Sequence, residues 1–278
     1  MKRIRSLRII LPVVCLLAAT IAFAQRSRRR AAPVDRSDMP RWEIDSQFSK
    51  DVFTFVRINY PSERGGWGRY DKWTTDYPDA DLNLSYRLQQ LTSLKVDPDG
   101  KVIELTDKEL FDYPWIYIVE PGDMSLTEDQ VTALRRYLLN GGFLMVDDFW
   151  GEREWETFYE NIKRVFPDRE PQELSMDHPI FHCVFPLKLA KNQLQVPAIN
   201  QGYYSQFDGV TWERPDAVNV HFRAIYDDKG RMMVVICHNT DNGDGWEREG
   251  ENEYYFREFS EKKAYPLGIN ILFYAMTH

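Results

Sequence analysis

Carboxylates, amides and one imidazole recur directly after the apolar runs of this chain. Asn59, Tyr60 and then Arg64 follow the run from Val52 to Ile58. Glu120 follows Trp115 to Val119 and precedes Pro121-Gly122. Asp147 and Asp148 follow Phe143 to Val146, and His238, Asn239, Thr240 and Asp241 follow Arg231 to Cys237. In an open parallel sheet, ligands bind beyond the carboxyl ends of the strands. Asn59, Tyr60, Arg64, Glu120, Asp147, Asp148, His238 and Asp241 are therefore candidate ligand-binding residues. His178, in the loop Asp177-His178-Pro179, is a further candidate for lining the same pocket. A base, an acid and a metal ligand can be drawn from Glu120, Asp147, His178 and His238. If Asp147 and Asp148 face one cavity, their repulsion raises the pKa of one of them.

Each candidate also has a purely structural reading. One of Asp147 and Asp148 can cap the helix that starts near residue 152, Asp148 can be a solvated loop carboxylate, and His178 beside Pro179 can be a satisfied loop group. The segment His238-Asn239-Thr240-Asp241-Asn242-Gly243-Asp244 resembles a calcium loop in composition only, since the distal glutamate is absent. Turn chemistry is its plainer reading. His178 and His182 are four apart, but Pro179 excludes the helical geometry of a zinc pair. No metal set and no cofactor is assigned from the sequence. There is no G-x-S-x-G or G-x-C-x-G elbow and no P-loop, and Gly65-Gly66-x-Gly68 opens no helix. Cys237 and His238 are adjacent on a strand, so they point to opposite faces and do not form a working pair.

The elements that position these residues alternate in type. Residues 52–58 and 102–105 read as strands, and 115–119 and 143–147 as strands apolar on both parities, hence buried on both faces. A helix opens at Pro78-Asp79-Ala80-Asp81, with Leu84, Leu88 and Leu91 on one face. A second helix over 126–139 is introduced by a capping box at Ser125-x-x-Glu128 and closed by Asn140-Gly141-Gly142. With its flanking strands it forms a βαβ unit, which implies parallel strands. Residues 152–166 read as a helix, 168–215 as irregular, 218–226 and 231–237 as a hairpin, and 266–276 as a closing helix. The order implies an α/β three-layer sandwich with a mainly parallel central sheet, in a single domain over 42–278.

The chain has 278 residues, 43% of them hydrophobic and 14% aromatic, enough for a sizeable core, and a formal net charge of −8. That charge argues against nucleic acid as a partner. Lys2, Arg3, Arg5 and Arg8 precede an apolar run from Ile9 to Ala24 ending in Ala22-Phe23-Ala24. This is the layout of a signal peptide over 1–24. It implies an exported protein, periplasmic or in the cell envelope, or one anchored by the segment if it stays uncleaved. Residues 25–41 hold six Arg and two Asp and read as a flexible tether suited to contact with a membrane surface. Removing Cys15 leaves Cys183 and Cys237, read as two separate buried thiols or one bridge.

The stretches NYPSERGGWGRY with WTTDYPDAD, LTDKELFDYPWIYIVEPG, LRRYLLNGGFLMVDDFWG, FPDREPQELSMDHPIFH, RAIYDDKGRMMVVICHNTDNGDGWE and YPLGINILFYAMTH span about Phe53 to His278. In these the chain resembles a bacterial family catalogued as domain of unknown function 4159. The resemblance implies a flavodoxin-like sandwich similar to class I glutamine amidotransferases, and no established activity. The amidotransferase cysteine elbow has no counterpart here.

Two readings follow. The first is a non-catalytic module of the cell envelope that binds a small ligand or a partner protein, with Trp67, Tyr70, Trp73, Tyr77, Trp150, Tyr203 and Tyr204 supplying loop aromatics. The second is a carboxylate/His hydrolase, metal-assisted or not, acting on a glycan or similar substrate. The sequence favours the first. Both place Glu120, Asp147 and His238 on one sheet edge, facing a common cleft that His178 also reaches. An antiparallel last strand is the weak point of that expectation.

Overall fold

Parallel pairing between strands distant in sequence organises the chain. The computed structural model describes residues 40–48, 51–62 and 71–278, all within one unit, Asp38–His278. The expected signal peptide and most of the tether lie outside the described residues, as does Arg64. The strands are β1 (Val56–Asn59), β2 (Lys101–Glu104), β3 (Trp115–Val119), β4 (Phe143–Asp147), β5 (Gln172–Glu173), β6 (His221–Tyr226) and β7 (Met232–His238). They form a 7-stranded sheet in the order β2-β1-β3-β4-β7-β6-β5. β2, β1, β3, β4 and β7 are mutually parallel, and β6 and β5 extend the sheet antiparallel. β7 thus pairs with β6 as a hairpin and with β4 in parallel, so its carboxyl end emerges on the same edge as those of β1, β3 and β4.

Alternation along the strands explains why the central ones are apolar throughout. Trp115, Tyr117, Val119, Met145, Val235 and Cys237 face one way. They meet Leu84 and Leu88 of α1 (Asp79–Leu91), Trp246 of α5 (Asn242–Glu247), and Leu267 and Ile271 of the closing helix. Ile116, Ile118, Leu144, Val146, Val234 and Ile236 face the other way. They meet Val131, Leu134 and Leu138 of α2 (Glu128–Leu139) and Phe158 and Ile162 of α3 (Gly151–Val165). Two cores on the two sheet faces make three layers. Each fully buried Leu, Ile or Phe contributes roughly 1.5–3 kcal/mol.

Several local expectations are corrected. The capping box of α2 is formed by Thr127 and Gln130, not Ser125 and Glu128: Gln130 N–H donates to Thr127 Oγ1 at 3.3 Å, and Thr127 N–H to Gln130 Oε1 at 3.0 Å. Leu91 is 54% exposed, as the last residue of α1. The span 168–215 contains β5 and a helix, α4 (Ile199–Asp208). The segment 241–247 is a helix cap followed by α5. The closing helix, α7 (Tyr265–Thr277), continues from the short α6 (Glu253–Tyr255) through a π-helical stretch, Phe256–Ala264. Cys183 and Cys237 are separate free thiols, but only Cys237 is buried. Among the described residues, no helix is long and apolar enough to cross a membrane.

Candidate functional site

The carboxyl edge of the parallel strands carries backbone that non-glycine residues rarely adopt. Glu120 after β3, Asp148 after β4 and Asn239 after β7 have φ of 45°, 56° and 61°, and Asp76, in the segment between β1 and α1, has φ 60°. The left-handed region costs an L-residue roughly 1–2 kcal/mol. Cross-bonds beyond the strand ends enforce it here. Glu120 N–H donates to Asp147 O at 3.1 Å, Asp148 N–H to Thr240 O at 3.1 Å, and Asn239 N–H to Phe149 O at 2.9 Å. The Asn239 side chain accepts from Gly151 N–H at 2.8 Å, satisfying the first amide of α3.

The edge is strongly acidic. Asp147 is fully buried and fully engaged. Its Oδ1 accepts from Asn242 Nδ2 at 2.8 Å, and its Oδ2 from Gly243 N–H at 3.0 Å and Tyr117 Oη at 3.2 Å. Burial pushes its pKa up to about 7 in spite of these donors. Asp147 thus braces the start of α5 against the sheet. Asp148 turns elsewhere, with Oδ1 accepting from Trp150 Nε1 at 3.0 Å. Asp241 caps α5, accepting from Asp244 N–H at 2.7 Å. Asp76 is 8% exposed, and its Oδ2 has no hydrogen-bond partner. It lies against Gly243, where a Cβ would stand 2.2 Å from that oxygen. Asp76, Asp148 and Asp241 each bring one carboxylate oxygen within 4.8 Å of the others. Burial first, and then the neighbouring carboxylates, raise all three pKa values well above the usual carboxylate range. Asp76 makes a second such group with Asp244 and Glu247. There Arg248 supplies positive charge, at 3.2 Å from Asp244 and 2.8 Å from Glu247.

Asp76 is held in place by a buried ion pair that sequence reasoning did not single out. Arg57, inside β1 and fully buried, pairs with Asp81 of α1 at 2.5 Å. Its Nη1 donates to Trp73 O at 3.1 Å and Thr75 O at 2.7 Å, which fixes the backbone just before Asp76. An arginine within the otherwise apolar run 52–58, and an acid in the first turn of a buried helix, were the available signals.

The remaining candidates divide. Glu120 accepts from Thr75 Oγ1 at 2.9 Å and pairs with Lys72. Tyr60 is buried and donates to Val119 O and Glu120 O, both at 2.7 Å, so it supports the β3 exit. Asn59 ends β1, half-buried, opposite Glu104. His238 shares the edge but not the cleft. Its neighbours are Phe149 and Trp155, with ring centroids at 4.7 and 5.2 Å, on the face covered by α3, while Asp147 faces α5. Its Nε2 lies 3.2 Å from Gly151 O, its Nδ1 lies 3.2 Å from Arg223, and burial lowers its pKa to about 3. The period-2 geometry of β7 explains the outcome, since Cys237 takes the other face.

His178 is at the opposite end of the sheet. Its Nε2 is 3.4 Å from the hydroxyl of Tyr226, which pairs with Met232 at the start of β7. Pro179 starts a 3-10 turn there that His178 caps, accepting from Ile180 N–H at 3.2 Å. Of the loop aromatics, Trp150 is buried against Asp148, and Trp73 packs with Tyr77. Tyr203 and Tyr204 are exposed on α4 with Phe207, and Trp67 and Tyr70 lie outside the described residues.

The family model described as "Domain of unknown function (DUF4159)" matches residues 54–276. The chain belongs to this family. Every carboxylate of the DUF4159 edge cluster falls inside the matched span. No curated protein matches the chain.

Proposed function

We propose that the chain is a non-catalytic binding module that takes its ligand at the carboxyl edge of the sheet. The observation that carries this is the left-handed backbone at three successive strand exits, Glu120, Asp148 and Asn239. Such strain persists only where the surroundings over-determine it, and it collects at ligand sites. The order of the parallel strands, β2-β1-β3-β4-β7, supports the flavodoxin-like, amidotransferase-like sandwich that the family resemblance implies. Sheets of that order bind ligands where the order reverses. Here that point lies between β1 and β3, beside Glu120 and the segment carrying Asp76.

The hydrolase reading is weaker because its acid–base partners do not meet. His238 is stacked on the other face from Asp147, and His178 is at the far end of the sheet. The N-terminal pattern supports export to the periplasm or cell envelope, with the Arg-rich segment against anionic lipid. The first N–H of α4 donates to Asp244, so Tyr203, Tyr204 and Phe207 belong to a helix rooted at the site. They offer a stacking surface to a small ligand or an envelope protein.

A thermal-shift screen of the purified protein against cations, sugars and carboxylic acids, run beside Asp148→Asn, tests the reading. At least one class is expected to raise the melting temperature of the parent and not of the variant. Turnover of a glycan or ester that His238→Gln abolishes would overturn it.

A further inference from the structure

We propose that Asp76, Asp148 and Asp241 are the ligands of a hard divalent cation of the calcium type. The inference rests on the reading of this edge as a binding site and gives that site a ligand. Three buried carboxylates bring oxygens within 4.8 Å of one another from three segments far apart in the chain. Oxygens that share one Ca2+ at 2.3–2.6 Å fall within about that spacing. Such a cluster is unfavourable in its ionised form, and a bound cation or protonation relieves it.

The second observation is independent of the spacing. Asp76 Oδ2 is buried without any hydrogen-bond partner, although the side chain is 8% exposed. Buried oxygens in folded proteins are nearly always satisfied. Among the described residues no Lys or Arg pairs with Asp76, Asp148 or Asp241. The nearby Arg57 is committed to Asp81, and Arg248 serves Asp244 and Glu247.

The donors are also arranged for a ligand. The indole of Trp150 fixes one oxygen of Asp148 and the amide of Asp244 fixes one of Asp241, and each carboxylate has a second oxygen outside those bonds. The donor set is all oxygen, without His or Cys, which favours Ca2+, Mg2+ or Mn2+ over zinc or copper. Three buried carboxylates favour Ca2+ among these, because Mg2+ keeps most of its waters and uses one or two carboxylates.

The test uses the full chain stripped with EDTA and titrated with Tb3+ and then Ca2+. Trp150, whose Nε1 is 3.0 Å from Asp148 Oδ1, sensitises Tb3+ luminescence at this site. Saturable luminescence that Ca2+ displaces is expected, together with a rise in melting temperature on adding Ca2+ alone. Asp148→Asn, which keeps the side-chain shape and suits the left-handed backbone, is expected to weaken Ca2+ about tenfold or more while remaining folded. Two results overturn the proposal: no response to Ca2+ up to about 10 mM, above the ~1 mM range of weak extracellular calcium modules, or an equal response in Asp148→Asn. If an organic ligand still stabilises the parent and not the variant while Ca2+ does nothing, the cation assignment falls and the binding edge stands.

Discussion

Replacing His238 by Gln separates a buried neutral imidazole from an acid–base group. In the fold its pKa is lowered from 6.5 to about 3, mainly by burial, with the charges of Arg223 and His221 adding to it and the bond to Gly151 O opposing it. A depressed folded value means that the unfolded chain binds the proton first. The stability His238 confers is therefore complete above pH 6.5 and is lost as the pH falls toward 3. At ~1.4 kcal/mol per pH unit, going from pH 7 to about pH 4.5 removes about 2–3 kcal/mol through this one group. Titrating groups away from His238 contribute equally to parent and variant, so the difference between the two isolates His238 together with its coupling to His221. Urea unfolding at the two pH values is the assay. The parent is expected to lose about 2–3 kcal/mol more than His238→Gln. Parallel losses would refute the reasoning and would mean that the ring is charged or solvated in the fold.

Arg57→Met is expected to destabilise by about 3–5 kcal/mol, because it leaves Asp81 buried and unpaired. Arg57→Met with Asp81→Leu should recover much of that loss in the same unfolding assay. Thr127→Ala is expected to cost about 1 kcal/mol through the lost cap of α2, whereas Ser125→Ala should stay within about 0.5 kcal/mol. A reversal of these two would put the cap back at Ser125.

What the sequence displayed and what it hid have physical reasons. The bounds of β3 and β4 were readable because both faces of those strands are covered, which leaves an uninterrupted apolar run with polar ends. The exits carrying Glu120, Asp148 and Asp241 followed from parallel topology, and β7 joins them because it pairs with β4 as well as with its hairpin partner. α4 was missed because Tyr203, Tyr204 and Phe207 face outward, and the face toward α6 relies on Gly202, where a Cβ would stand 2.5 Å from Tyr255. Asp76 carried no local signal. Its position comes from Arg57 gripping the preceding carbonyls and from the bare backbone of Gly243, contacts 19 and 167 residues away. His238 and Asp147 were placed on the correct edge, but the cleft they were assigned divides between two faces of one sheet.

Anomalous diffraction from crystals of the EDTA-stripped protein soaked in Tb3+ locates the cation itself. One strong peak is expected at coordination distance, about 2.3–2.6 Å for a calcium-type site, from an oxygen each of Asp76, Asp148 and Asp241, and none in Asp148→Asn. Density elsewhere with none among these three carboxylates would contradict the assignment.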